Sequence, residues 1–238
     1  MVDLSRIEYL VGKKSLQTIG KKKVMLCGCG GVGSFVAEAL CRSGLGEITL
    51  VDFDKVEPSN LNRQLMSEKN NIGISKTQAL KERLVKVSET KVNTIDSFID
   101  ENFEISDDYD YVIDCIDVLA SKYALVRKCH EKKIPVLSSL GSARRLKPEK
   151  ITLTTLDKTR NDPLAKAFRS LVKKDNYRHK IEVVYTDTPA IRTNVVKEGK
   201  THKEKYPLGS SIFVVGSVGL YIASIVFERL IKEEENEI

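Results

Sequence analysis

Four glycines fall within six residues in the run Gly28-Cys29-Gly30-Gly31-Val32-Gly33-Ser34, directly after the apolar residues 24–27. Glycines let a backbone turn tightly and approach a phosphate, and a helix starting at Ser34 would offer free N–H groups and a partial positive charge. Nucleotide binding is the chemistry this loop serves. Asp52 stands 19 residues after Gly33, at the end of the next apolar run. A carboxylate there can accept hydrogen bonds from ribose hydroxyls, which suits NAD and ATP equally. The segments that follow separate the two. Asp52-Phe53-Asp54, Ser59-Asn60-Leu61-Asn62-Arg63-Gln64, Gly73-Ile74-Ser75-Lys76 and Asp114-Cys115-Ile116-Asp117 bring Asn, Arg, Lys and Asp to one sheet edge. Hydride transfer needs no Arg, Lys and extra carboxylate around the phosphates. A triphosphate does, because cations balance its developing charge and a carboxylate can hold Mg²⁺.

The elements that must position these residues alternate. Strands are expected at 23–28, 47–51, 92–95, 111–115 and 135–139. Helices are expected at 34–42, closed by Gly44, at 75–87, capped by Ser75, and at 120–132. Residues 52–71, with Pro58 and four Asn, read as a loop. Strands alternating with helices imply an α/β fold, a Rossmann-like and mostly parallel sheet with helices on both faces. The second half adds strands at 151–156 and 182–186, a basic helix at 163–174, a long loop at 187–206 and an apolar helix at 212–227. We expect one domain over 1–238, with 21–140 as the nucleotide-binding core and 141–238 as a basic substrate-binding half ending in a helix.

Composition narrows the class. The chain has 238 residues, 41% hydrophobic and 30% charged, with 14 Gly and 6 Pro, which excludes a low-complexity or wholly disordered chain. Its five cysteines form no C-x-x-C pair, so neither a zinc knuckle nor a dithiol is written here. The odd count and the absence of a signal-peptide pattern imply reduced thiols and a cytoplasmic location. The 16 apolar residues 212–227 are shorter than the roughly 20 a membrane span needs. No integral span is expected, and peripheral membrane association stays open. The three histidines, His130, His179 and His202, lie far apart and read as surface residues. From Arg144 to Lys205 there are 17 Lys and Arg against 8 Asp and Glu, a net of +9, while the whole chain carries +6. A concentrated basic segment is what a polyanionic partner requires. The helix cations Lys166, Arg169, Lys173 and Lys174 are the expected contacts.

Together the glycine loop, Asp-Phe-Asp, Ser-Asn-Leu-x-Arg-Gln, the lysine of Gly-Ile-Ser-Lys and the Asp-Cys-Ile-Asp strand end resemble the ubiquitin-activating-type (HesA/MoeB/ThiF) adenylation superfamily, from Arg6 to about Gly141. The resemblance implies that Asp52, with Asp54 beside it, holds the ribose. Asn60, Arg63, Gln64 and Lys76 line the phosphate side, and Asp117 binds Mg²⁺. Arg6 matches an arginine often supplied to the ATP phosphates across a dimer interface. Arg63, Lys76 and Asp117 are the expected catalytic residues. In the second half, Ser138-Ser-Leu-Gly141, Lys147-Pro-Glu-Lys-Ile151, Asp157 to Ala165, Val183 to Thr186 and Leu208 to Val214 resemble the tRNA threonylcarbamoyladenosine dehydratase branch. Arg144-Arg145 departs from it, standing where small or polar residues would be unsurprising.

That branch implies ATP-dependent cyclisation of a threonylcarbamoyl group on tRNA. Its partners would be tRNA carrying the modified adenosine beside the anticodon, a second copy of the chain in a homodimer, and a cysteine-desulfurase system. A monovalent cation, K⁺ or Na⁺, is a further candidate cofactor. Adenylating a carboxylate turns an oxide-like leaving group into AMP, and a nitrogen tethered nearby attacks at high effective concentration. None of this needs a cysteine. The alternative is an adenylyltransferase acting on the C-terminus of a sulfur-carrier or ubiquitin-like protein, whose relatives use a cysteine carrier. After Cys129 this chain has none.

Overall fold

A computed structural model of the chain describes residues 2–191 and 208–232. Helix α1 (Ser5–Ile19) leads into β1 (Lys23–Cys27), α2 (Gly33–Arg42) and β2 (Glu47–Val51). A short 3-10 turn, Pro58–Asn60, precedes α3 (Lys76–Leu84), β3 (Lys91–Ile95), β4 (Tyr111–Asp114), α4 (Leu119–Glu131) and β5 (Val136–Ser139). Then come β6 (Ile151–Thr155), α5 (Pro163–Lys174), β7 (Glu182–Thr186) and α6 (Ile212–Lys232). All seven strands form one sheet in the order β3-β2-β1-β4-β5-β7-β6. Every pairing is parallel except that of β6 with β7. The sequence expectation of a mostly parallel α/β sheet with helices on both faces therefore holds.

Alternation along the strands separates two buried layers. Val24 and Leu26 of β1 join Val36, Leu40, Leu80 and the inner face of α6 on one side. Met25 and Cys27 join Leu125, Val126, Phe168 and Val183 on the other. Strand order reverses between β1 and β4, and a crevice opens at the carboxyl ends of such strands. The glycine loop follows β1, Asp52 follows β2, and Asp117 follows β4.

The pattern-based boundaries shift in three places. Helix α1 was not expected from the pattern, because Gly12 (φ +82°, ψ 160°) breaks it and interrupts the apolar period. Helix α3 stops at Leu84 rather than 87, and Val85 is exposed. Helix α6 runs 21 residues, beyond 227, because Leu230 is buried and Arg229 pairs with Glu182 at 2.7 Å and donates to the Tyr111 hydroxyl. By length and composition alone α6 could cross a membrane, so the argument from 16 residues is corrected. Its Val214, Val218, Ile222, Val226 and Leu230 are spent in the core instead. The loop expected over 187–206 lies, from residue 192 on, outside the described residues.

Candidate active site

A cavity of about 690 Å³ opens at the carboxyl edge of the sheet, over the glycine loop. Close approach of backbone explains the glycines. Gly28 has φ +93°, and a Cβ there would lie 2.7 Å from the Cys115 carbonyl. A Cβ on Gly33 would meet the Gly28 oxygen at 1.9 Å. Only glycine lets α2 start this close to β1 and β4. Val32 is the residue preceding α2, and Gly31 packs beneath Val215 of α6. Gly30 is different: a Cβ there would have only the Gln64 amide nearby, at 3.9 Å, so this glycine leaves room in the cavity itself.

Asp52 ties the loop to β2. One carboxylate oxygen accepts from the Cys29 N–H at 2.7 Å and the other from the Asp54 N–H at 2.9 Å. Burial pushes its carboxyl above the usual range, against the pull of these N–H groups and of Lys76. Each oxygen keeps a second lone pair for a ligand hydroxyl. Lys76 is the first residue of α3, with Ser75 as the cap accepting from the Gln78 N–H. Its buried ammonium lies 2.6 Å from Asp54, the carboxylate that follows Phe53. Asn60 is buried in the 3-10 turn, where its side-chain oxygen accepts from the Glu57 N–H at 3.1 Å. Arg63 is half-buried and donates to the Ser59 carbonyl at 2.7 Å and the Asn62 side chain at 3.0 Å. Gln64 is buried with its amide oxygen unpartnered among the described residues.

Gly28, Gly30, Gly31, Val32, Asp52, Asp54, Asn60, Arg63, Gln64, Lys76 and Asp117 all line this one cavity. Gly33 stands just behind the lining, inside α2. Arg6 is not brought here: it is exposed on α1. Asp114 also departs from the expected edge cluster. It is fully buried, accepting from Lys122 at 2.7 Å and from the Ser138 hydroxyl at 2.7 Å, and Lys122 also donates to the Ser139 carbonyl. Asp117, three residues on, is the exposed carboxylate at the mouth.

Some cavity residues carry no signal in the sequence. Ser121, at the start of α4, is buried with its hydroxyl unpartnered among the described residues. Phe53 and Phe98 meet edge-on at 5.0 Å and make an apolar wall beside Asp52. Phe53 could have been suspected from its place next to Asp52, but Phe98 lies in a stretch without period.

In the second half, Arg145, part of the departure from the dehydratase pattern, is buried and donates to the Thr188, Gly141, Ala143 and Asn161 carbonyls. It therefore fixes the 141–145 turn that lines the cavity. Arg169 likewise points inward, donating to the Thr159 hydroxyl and carbonyl, while Lys166, Lys173 and Lys174 are exposed. Two of the histidines, far apart in sequence, meet in the fold, and His202 lies outside the described residues. His130 is hydrogen-bonded to the Tyr177 hydroxyl, and the His179 ring lies 5.2 Å from both. All five cysteines are free, four of them buried, and burial raises every thiol pKa, those of Cys41 and Cys129 to about 12.

Comparison with known proteins agrees with this geometry. The chain is 37% identical over 242 residues to the tRNA threonylcarbamoyladenosine dehydratase of Bacillus subtilis, covering 97% of this chain and 95% of that protein. The crystal structure of the E. coli tRNA N6-threonylcarbamoyladenosine dehydratase in complex with AMP superposes with a TM-score of 0.89. Its identity is 30%, and it covers 98% of this chain and 96% of that one. The ATP complex of the same enzyme gives 0.87 at 30% identity, over 99% of this chain and 96% of that one. Residues 4–236 match the ThiF family. With a glycine-lined crevice at the strand-order reversal and this likeness along nearly its whole length, the chain belongs to the ThiF family.

Proposed function

We propose that the chain catalyses ATP-dependent dehydration of N6-threonylcarbamoyladenosine in tRNA to its cyclic form. The observation that carries this reading is the likeness to the dehydratases over 97% of the chain, which includes the second half and not only the nucleotide core. In the sulfur-carrier alternative a cysteine carries the acyl group or persulfide onward, and four of the five thiols here are buried, with burial raising the pKa of all five. Residues 21–140 then serve as the nucleotide core and the basic remainder of the single domain as the RNA-facing half.

ATP fits the cavity on its own terms. Gly30 leaves open space beside Gln64, and the unpartnered Gln64 oxygen and Ser121 hydroxyl are polar groups waiting for a ligand. Asp52 accepts from the ribose, and the Phe53–Phe98 wall gives the base an apolar side. Arg63, Asn60 and Gln64 face the phosphates. Lys76 is paired with Asp54. A triphosphate offers it more negative charge, so Lys76 turns part of its charge from Asp54 to the phosphates. Asp117 is the residue that would hold Mg²⁺, since this ion takes one or two carboxylates and completes its shell with phosphates and water. When bound, the ion would screen the phosphate charge.

The threonyl carboxylate attacks the α-phosphorus, and the bond to pyrophosphate breaks. The ureido nitrogen then attacks the activated acyl carbon, AMP leaves with the carboxylate oxygen, and the nitrogen loses its proton. The chain's residues orient the two reactants and neutralise phosphate charge; no protein nucleophile is needed. The 141–145 turn, braced by Arg145, forms the substrate side of the cavity.

A homodimer completes the site. Tyr9 and Leu10 of α1 are each 79% exposed, Phe213 and Leu220 of α6 are 65% and 54% exposed, and α1 packs on α6. Two such faces together would cover this apolar surface and place the α1 of one copy, with Arg6, near the other. The dehydratase reading is tested by measuring pyrophosphate release with ATP and tRNA. Release should require tRNA bearing the threonylcarbamoyl group. Equal release with unmodified tRNA would contradict the reading.

A further inference from the structure

Away from the nucleotide cavity, the end of α4 and the turn after α5 enclose a cleft of about 480 Å³ lined by rings and cations. The Tyr177 ring stacks on His130, with centroids 5.8 Å apart and planes 8° apart, and His179 lies against both. Tyr177 is locked in place by its hydroxyl on His130 and an edge-on contact with Tyr123 at 5.6 Å. Residues 127–133 carry four cations against one carboxylate, and so do residues 173–180. The two carboxylates, Glu131 and Asp175, are both answered by Arg127. That leaves Arg178 as the exposed cation of the cleft lining, with Lys173, Lys174 and Lys180 exposed nearby in sequence.

We propose that this cleft is a second RNA contact, in which Tyr177 and His179 offer a stacking face to an unpaired base and Arg178 meets a backbone phosphate. The inference rests on the tRNA reading above. A held aromatic ring loses little freedom on stacking, and stacking beside cations is how proteins grip single-stranded nucleic acid without reading its sequence. An acidic peptide fits less well. Glu131 and Asp175 line the same cleft. They can accept from the exocyclic amines of a base, donors that an acidic side chain does not offer. The cleft is remote from the chemistry: His130 lies nine residues beyond Ser121 on α4, about 14 Å along the helix axis. It therefore acts on binding, holding the RNA while the modified adenosine enters the cavity.

The test uses the full chain, tRNA carrying threonylcarbamoyladenosine, and two variants, Tyr177→Leu and the exposed pair Arg178→Ala/His179→Ala, with Tyr177→Phe as the control that keeps the ring. Loss of stacking should raise the tRNA Kd by about 5- to 150-fold. The Arg178→Ala/His179→Ala pair should also flatten the log–log salt slope by roughly 0.7 to 0.9. ATP affinity and kcat at saturating tRNA should not change, and Tyr177→Phe, which keeps the ring and its contact with Tyr123 but loses the hydroxyl on His130, should bind more tightly than Tyr177→Leu. If Tyr177→Leu unfolds, the exposed pair decides alone. Wild-type protein that binds and cyclises tRNA, with variants that bind it equally well, overturns the cleft and leaves the activity standing. Wild-type protein that binds no tRNA overturns the tRNA reading and the cleft with it.

Discussion

Lys76 and Asp54 show how a buried charge is held at this site. A buried ammonium needs a partner, and Asp54 supplies one at 2.6 Å while leaving Lys76 within the cavity lining. Arg63 rests on its own loop in the same way. Replacing Arg63, Lys76 or Asp117 by Ala should each lower ATP-dependent turnover by about 10²–10³-fold, as loss of a charge-stabilising group commonly does. Circular dichroism should remain native. Turnover within a few-fold of wild type in all three variants would contradict the assignment. The cysteines give a second prediction at this scale. A thiol pushed up to about 12 has a thiolate fraction of about 10⁻⁴ at pH 8, so Cys41 and Cys129 should react with a disulfide reagent only on unfolding. Reaction should quicken as pH rises, since higher pH increases the thiolate. Fast labelling of the native chain at pH 8 would show that one thiol is exposed and activated. The glycine loop and Asp52 were legible from spacing, and the parts assigned to Arg63, Lys76 and Asp117 came from the resemblance to the adenylation superfamily. Asp114 was not legible: two carboxylates three residues apart look alike in sequence, and only the packing of Lys122 against β4 turns one inward.

Among the elements, α6 joins the halves of the chain. Gly219 lets it approach α2 so closely that a Cβ there would lie 2.6 Å from the Val32 oxygen and 2.8 Å from the Phe35 Cβ. Gly219→Val should therefore push α6 off α2 and, through Val215 over Gly31, disturb the glycine loop. A loss of about 1–3 kcal/mol is expected from overpacking, read by urea unfolding, with weakened ATP binding in the folded fraction. Wild-type stability and ATP affinity would refute this packing role. The strands were readable because buried parallel strands are short, nearly continuous apolar runs. Helix α1 was hidden by its break at Gly12, and the true length of α6 depends on the Arg229–Glu182 pair, which joins residues 47 apart. The aromatic cluster was hidden for the same reason, since His130 and Tyr177 meet across 47 positions.

At the scale of the whole molecule, charge and exposed apolar surface point to the proposed assembly. Mixing Arg6→Ala and Asp117→Ala chains, each inactive alone, should restore up to about a quarter of wild-type activity if mixed dimers form statistically and carry one intact site. No recovery, with exchange of subunits verified by mass, would place Arg6 outside catalysis. The net charge of the second half was visible in the sequence. Its distribution was not, because Arg145 and Arg169 are spent on carbonyls inside the fold and leave the lysines and Arg178 to face solvent. The central claim is that this cavity activates a carboxylate on tRNA for ring closure. It is tested most directly by incubating the purified chain with ATP, Mg²⁺ and tRNA bearing threonylcarbamoyladenosine, then weighing the released nucleosides by mass spectrometry. The account predicts a nucleoside lighter by one water, formed one for one with AMP and only when ATP is present. An unchanged nucleoside, with pyrophosphate released instead when a sulfur-carrier protein is supplied, would contradict it.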